Sequence, residues 1–414
     1  MTAVGADGAV TVVGGGVAGV STVSALRRLG HTGRLLLVDA GAALHDRPPL
    51  SKGYLSGRLG DDELGLLPTG WFTEHDVEVR QGVRAVALDP GSATVGLSDG
   101  DVLDADAVVL AQGATAHRPP LPGVGLAAVL RTLDDARGLR PRLRPGAHLV
   151  VVGAGLVGAE VTATARSLGV HVVLVDPDPL PLADVVGPDV ARLLHADHDR
   201  HGVDVVQQAV RAVTPGDGAA LRVELADGSA RPADAVLVAT GMVPADDLAR
   251  LSGLQVAPGG GVVVDDAQRT SAPLVLAVGD GTRRRAADGS VEPPGGHWDA
   301  ARLDGDTAAA TLLGLPAPER GAPWFWTDRY ERHVEVVGRP ANAARTLVRG
   351  VLGEGPAAVL GWTDGVLTGA VAVDDPRSAR ALRRLVDRRV PVDPDVVVAA
   401  GTDLRALLRG PDRA

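Results

Sequence analysis

The sequence predicts an α/β protein in which two parallel-sheet units follow one plan. Three observations lead there. A strand, a glycine-rich turn, a helix, a second strand and a closing acid occur in that order twice between Ala9 and Asp176. Each copy is followed, at a comparable distance, by the same closing strand and small-residue turn. The longest apolar runs are short, rich in valine and bounded by Gly or Asp, as strands buried on both faces of a parallel sheet are.

In the first copy, Ala9–Val13 reads as a strand, Gly14-Gly15-Gly16-Val17-Ala18-Gly19 as the turn, Val20 to Leu29 as a helix, and Arg34–Val38 as a second strand ending in Asp39. The glycines have separate physical tasks: Gly14 permits the tight turn, Gly16 lets backbone approach a pyrophosphate, and Gly19 lets helix and strand pack closely. The helix N-terminus offers free N–H groups to phosphate. Asp39 is placed to accept hydrogen bonds from ribose hydroxyls. The second copy runs through Leu149–Val152, then Gly153-Ala154-Gly155-Leu156-Val157-Gly158, then a helix from Ala159 to Leu168, then Val172–Val175 and Asp176. One such turn alone is a weak signal. Two complete copies argue against a sheet that merely uses tight turns.

The closing elements are Ala107–Leu110 with Ala111-Gln112-Gly113-Ala114, and Ala235–Val238 with Ala239-Thr240-Gly241-Met242. Each follows an Asp-Gly hairpin signal, at Asp99-Gly100 and Asp227-Gly228. A further short strand, Leu274–Val278, ends in Gly279-Asp280, and helical spacing resumes at Asp304–Leu313. Asp176 is followed by Pro177, Asp178 and Pro179 with no Arg or Lys beside it, so the second site favours NADH over NADPH. For the first site the spacing alone does not distinguish FAD from NAD.

Composition narrows the function. With 414 residues, two or three domains are expected. Aromatics make up 2%, so the core must be mostly Val, Leu and Ala. A net charge of -10 argues against a general nucleic-acid binder, which needs a basic surface. The absence of cysteine excludes a redox dithiol, a catalytic thiol, a disulfide and an iron–sulfur cluster ligated by this chain. It fits a cytoplasmic location. Met1 to Gly8 has no basic, apolar leader pattern, and no apolar run approaches the roughly 20 residues of a membrane span.

At this point the chain resembles a known family, the FAD-dependent, NADH-using ferredoxin reductases of bacterial oxygenase systems, those serving putidaredoxin-like, rubredoxin and dioxygenase partners. The segments that carry the resemblance are His45-Asp46-Arg47-Pro48-Pro49-Leu50-Ser51-Lys52, Leu121-Pro122-Gly123, Gly153 to Glu160, Thr270-Ser271 with Ala277-Val278-Gly279-Asp280, and Pro323-Trp324-Phe325-Trp326-Thr327-Asp328. They follow family order across nearly the whole chain. The resemblance implies two nested Rossmann-like FAD/NAD(P)-binding domains of the glutathione-reductase type, plus an α+β C-terminal domain. Residues 1–112 with 244–320 would bind FAD, 113–243 would bind NADH, and 321–414 would form the C-terminal domain.

By the same resemblance Gly14, Gly16, Gly19 and Asp39 should hold the ADP part of FAD. Arg47, Lys52 and Gly113 should lie near the flavin, and Asp280 on the ribityl chain. Trp298 and Trp326 should lie close to the isoalloxazine ring. Gly153, Gly155, Gly158 and Asp176 should hold NADH. Lys52, Glu160 and Trp326 are the expected catalytic residues. A Lys52–Glu160 pair in a low-dielectric site would couple strongly and could position nicotinamide and balance the charge on reduced flavin. Lys52 stands alone as a lysine in an Arg-dominated chain. The chain departs from the family pattern at Gln112, Ala245, Ala300-Ala301, Asp304-Gly305 and Arg329, the last standing where a Gln is usual. The expected partner is a small, acidic iron–sulfur ferredoxin, with the enzyme a monomer or homodimer and no metal of its own. An NADH oxidase acting on oxygen or a small molecule, and an NADH-binding module like apoptosis-inducing factor, are the alternative readings.

Weaker features remain. Arg283-Arg284-Arg285 reads as a solvated loop or as a basic patch for an acidic partner. Arg377 to Arg389 reads as a surface helix with Leu382, Leu385 and Val386 inward. His195, His198 and His201 have metal-like spacing but read better as a solvated helix end.

Overall fold

The computed structural model describes residues 4–409 apart from 218, 219, 293, 294 and 400. Residues 1–3 of the N-terminal stretch and 410–414 of the expected C-terminal domain lie outside the described residues. The chain forms two compact units, Met1–Asp46 with Asp61–Thr115 and Met242–Arg320, and Arg47–Gly60 with Ala116–Gly241 and Gly321–Ala414.

The first unit is built on a five-stranded parallel sheet. Its strands lie in the spatial order Val275–Ala277, Ala107–Leu110, Val10–Val13, Leu35–Asp39, Val77–Gln81. Val10 pairs with both Leu35 and Ala107, so the closing strand sits directly beside the first strand of the glycine device. The four-residue runs VTVV and AVVL are buried throughout, which is why they carry no alternation. Helix Val17–Arg28 packs against helix Trp298–Leu312 in a core of Val20, Val23, Leu26, Ala308, Ala309 and Leu312. Gly305 makes that approach possible, because a Cβ there would run into the Ala18 carbonyl and Ser21. The second helix starts six residues earlier than its apolar spacing suggested. Arg302, paired with both Asp299 and Asp306, supports the added turn. A three-stranded antiparallel sheet, Ala85–Asp89, Thr94–Leu97 and Val102–Asp104, contains the Asp99-Gly100 hairpin.

The second unit repeats the plan. Its parallel sheet runs Asp204–Val206, His171–Val175, His148–Val152, Ala235–Val238, again with the closing strand beside the first. An antiparallel sheet of Val210–Pro215, Leu221–Leu225 and Ala230–Ala233 carries the Asp227-Gly228 hairpin. To these the unit adds a five-stranded antiparallel sheet in the order Trp324–Arg329, Arg332–Gly338, Val366–Val373, Ala357–Thr363, Arg345–Arg349. One face of that sheet receives Leu382, Leu385 and Val386 of helix Pro376–Asp387. The other packs Phe325, Val334, Val336 and Val371 against Val190, Ala191 and Leu194 of helix Pro188–Arg200. This is the α/β fold the repeated devices predicted, with the α+β segment at its C-terminal end. Among the described residues no helix is long and apolar enough to cross a membrane.

Candidate functional site

The two glycine turns are alike in atomic detail. Gly14 and Gly153 both take left-handed backbone, at φ 114° and 103°. A Cβ at either would strike the carbonyl of the closing turn, Ala111 or Ala239. Asp39 and Asp176 bind the turns back. Gly15 N–H donates to Asp39 Oδ2 at 2.6 Å, and Ala154 N–H to Asp176 Oδ2 at 2.7 Å. Their second oxygens accept from Gly41 and Asp178. Each acid therefore shapes its turn, and each keeps lone-pair capacity for a hydroxyl. Neither following helix has a side-chain N-cap or an acid in its first turn. Around Gly155 there is open space where a Cβ would stand. An uncapped helix N-terminus with no acid in its first turn fits a pyrophosphate at both turns, and at the second Gly155 leaves room for it.

In the first unit, Gly113, Asp280 and Trp298 stand on elements next to the first turn. A Cβ at Gly281 would meet the Gly113 carbonyl, so the closing turn and the Gly279–Gly281 turn touch. Gly279 N–H donates to Asp304 Oδ2 at 3.1 Å, and Arg320 pairs with Asp304 at 2.6 Å. Burial raises the Asp304 carboxyl against the opposing pull of Arg320. Asp304, one of the departures from the family pattern, thus braces the turn that presents Asp280. The indole N–H of Trp298 donates to Asp46 at 2.8 Å. His297, which the sequence did not single out, is lowered by burial and feels Asp280.

The second unit holds the other named residues: Arg47, Lys52, Glu160, Trp326 and the second glycine turn. Pro48 and Pro49 lead into a wide, π-type turn, Leu50–Tyr54, which carries Ser51 and Lys52. Tyr54 is buried beneath the Arg140 guanidinium. Glu160, fifth residue of helix Leu156–Ser167, is 6% exposed. It is not a dipole-balancing surface acid. Ser51 Oγ donates to Glu160 Oε2 at 2.5 Å, Thr327 Oγ1 to Oε1 at 2.7 Å, and Lys52 Nζ lies 3.3 Å from Oε1. Lys52 also pairs with Asp328 at 3.1 Å and sits 5.7 Å from the Trp326 ring centroid. Burial pushes the Asp328 carboxyl up, but the bonds from His333 and Lys52 win and hold it low. His333 is raised to about 9 by its bonds to Asp328 and Glu335. Glu335, His333, Asp328, Lys52 and Glu160 therefore form one line of alternating charge. Lys52 is the chain's sole lysine.

Two weaker features come out differently from their sequence readings. The helix bearing His195, His198 and His201 does not end in solvent: His198 is fully buried, bonded to the Tyr330 hydroxyl at 2.7 Å, and lowered by burial to about 3. His201 stacks on Tyr330. Among the described residues no group of ligands could hold a metal. Arg283–Arg285 is neither a loop nor a free patch. Thr282–Arg284 pairs as a strand with Val262–Val264, Arg284 is bound by Glu292 and Asp266, and burial lowers Arg283.

Comparison with known proteins decides the family. Residues 8–302 match pyridine nucleotide-disulphide oxidoreductase, and residues 324–408 match the reductase C-terminal family. The chain belongs to the pyridine nucleotide-disulphide oxidoreductase family. This family and the ferredoxin–NAD(+) reductases within it use FAD and NADH. The chain is 35% identical to the biphenyl dioxygenase system ferredoxin–NAD(+) reductase component of Paraburkholderia xenovorans (strain LB400), over 97% of this chain and 98% of that one. It is 33% identical to the putidaredoxin reductase of Pseudomonas putida, covering 96% of each. The structure superimposes on the covalent putidaredoxin reductase–putidaredoxin complex with a TM-score of 0.91, at 31% identity, over 99% of this chain and all of that one. Unlike a family member that reduces disulphides through its own thiols, this one has no cysteine.

Sequence reading missed Ser51, Thr327, Asp328 and His333 as parts of the Lys52–Glu160 site. Ser51, Thr327 and Asp328 lie inside the quoted motifs beside the chosen residues, and that adjacency was the available signal. His333 gave none, because only the antiparallel register opposes it to Asp328.

Proposed function

We propose that the protein is an FAD-dependent NADH:ferredoxin reductase, taking hydride from NADH and delivering electrons singly to a ferredoxin-type iron–sulfur protein that serves an oxygenase. The observation that carries this reading is the Lys52–Glu160–Asp328 cluster in a cysteine-free member of the family. Without a thiol, this chain has no dithiol to receive the electrons, so they pass from the flavin directly to an external acceptor. FAD supplies the exchange between two-electron and one-electron chemistry. Gly14, Gly16, Gly19, Asp39, Gly113, Asp280, Trp298 and Arg47 serve FAD. Gly153, Gly155, Gly158 and Asp176 hold NADH, and the acid at Asp176 repels a 2′-phosphate. Lys52 and Glu160 orient the nicotinamide end, with Trp326 flanking them. Residues 1–112 with 244–320, 113–243, and 321–414 are the three functional domains. The ferredoxin is small and acidic, the enzyme is a monomer or homodimer, and it works in the cytoplasm.

The test is NADH-driven cytochrome c reduction by the FAD-loaded protein, with and without an added [2Fe–2S] ferredoxin. A rate that rises with ferredoxin concentration supports the reading. Rapid oxygen consumption with no response to any ferredoxin would replace it with an NADH oxidase. Slow reoxidation, with a long-lived NADH-reduced complex, would replace it with an NADH-binding module.

A further inference from the structure

Strand Trp324–Arg329 alternates. Trp324, Trp326 and Asp328 are half-exposed, while Phe325, Thr327 and Arg329 are buried. The buried face brings the Thr327 hydroxyl to Glu160. Two residues on, about 7 Å along the strand, stands Arg329 at 3% exposure. Its Nε and Nη2 have no hydrogen-bond partner among the described residues. A guanidinium so placed is costly unless negative charge lies close. Among the described residues no carboxylate pairs directly with it; Glu160 and Asp197 offset its charge from a distance, and burial still lowers the group to about 10. Asp197 is already bound by Arg332 and Arg200. His198, fully buried and neutral at physiological pH, brings no compensating charge. Glu160 therefore has two cations of different kind in its surroundings, Lys52 in contact and Arg329 farther off. Lys52 is shared with Asp328 and is partly exposed. Arg329 is buried, with two donors uncommitted.

We infer that Arg329 is a positioning residue: a fixed interior positive charge, on the same strand face as the Thr327 that bonds Glu160, which offsets the Glu160 charge when Lys52 turns toward substrate. The inference rests on the reading that Lys52 and Glu160 serve NADH oxidation. Lys52 moves between carboxylates and nicotinamide; Arg329 stays, so Glu160 does not lose all compensation at the moment Lys52 is engaged.

The test uses R329Q, R329K, E160Q and E160Q/R329Q with two readouts. Thermal unfolding of the apo-protein requires neither NADH nor FAD. R329Q should melt below wild type, and E160Q/R329Q at or above R329Q, because the double variant leaves no lone buried charge. In stopped-flow reduction of the FAD-loaded protein, R329Q should lower the limiting rate about tenfold, equivalent to about 1.4 kcal/mol, with little change in the NADH concentration for half-saturation. R329K should restore most of that rate, and R329Q should add almost nothing in the E160Q background. A wild-type limiting rate in R329Q, or equal losses with and without Glu160, overturns the inference. Should R329Q fail to fold, E160Q/R329Q decides: if it also fails, Arg329 is a packing residue only. A wild-type protein that NADH does not reduce defeats the functional reading, and the unfolding cycle still tests the coupling.

Discussion

Lys52 offers an unusual handle, because acylation of this chain can modify only one internal amine. Its side chain is 16% exposed and lies between Glu160 and Asp328. Bound NADH is expected to slow Lys52 acetylation, read by mass spectrometry; equal rates with and without NADH would remove Lys52 from the nucleotide site. Lys52→Ala leaves two carboxylates facing each other across the vacated space, and should slow flavin reduction by about tenfold or more. The next member of the line, His333, makes a pH prediction. Its pKa is raised to about 9, against about 6.5 in an unfolded chain. The folded state therefore binds the proton more tightly. The resulting stability is fully present below about pH 6.5 and is lost as pH rises through about 9. His333→Gln should thus unfold at lower temperature than wild type near pH 6, and the two should converge above about pH 10. A gap that persists unchanged at high pH would mean that His333 acts through packing and not through charge.

At the scale of elements, the second glycine turn separates folding from binding. A Cβ at Gly158 would strike the Gly153 carbonyl within the same turn. Gly158→Ala should force helix Leu156–Ser167 off its strand and cost about 1–3 kcal/mol in urea unfolding. Gly155 has ordinary extended backbone, at φ −67°, and free space around it. Gly155→Ala should fold within about 0.5 kcal/mol of wild type yet bind NADH markedly more weakly, as read by titration of protein fluorescence. Equal affinity in that variant would remove the pyrophosphate from this turn. These turns were legible in the sequence because their constraints are local: a left-handed glycine, a close approach, an acid one strand later. The parallel strands were legible for the same reason, from short valine-rich runs. What was not legible depends on register between distant segments. Thr327 reaches Glu160 across 167 positions, and His333 faces Asp328 only through the pairing of two antiparallel strands. Asp304 looked like a departure from pattern, but the fold turns it into a brace for the Gly279–Gly281 turn. The buried His198 was misjudged because a polar helix end looks solvated until the C-terminal sheet packs on it.

For the whole molecule, the division into two units predicts that, on the proposed reading, each nucleotide stabilises the protein by itself. The first glycine turn, Asp39, Gly113, Asp280 and Trp298, all the residues proposed for FAD except Arg47, belong to one unit; the second turn, Asp176, Lys52 and Glu160 belong to the other. Each unit has its own buried core, Val12, Leu26 and Leu37 in one and Val150, Val223 and Val236 in the other. A ligand that binds only folded protein stabilises it by an amount set by its concentration over Kd, about 2.7 kcal/mol at a hundredfold excess. NAD+ should therefore raise the melting temperature of FAD-stripped protein, and FAD should do so without NAD+. Asp176→Ala should abolish the NAD+ shift and leave the FAD shift intact, while Asp39→Ala should do the reverse. If NAD+ stabilises only after FAD is restored, the second site is completed by the flavin and is not preformed in its own unit. Calorimetry of the four combinations distinguishes these outcomes, and thiol reagents can be present throughout, since the chain has no cysteine for them to modify.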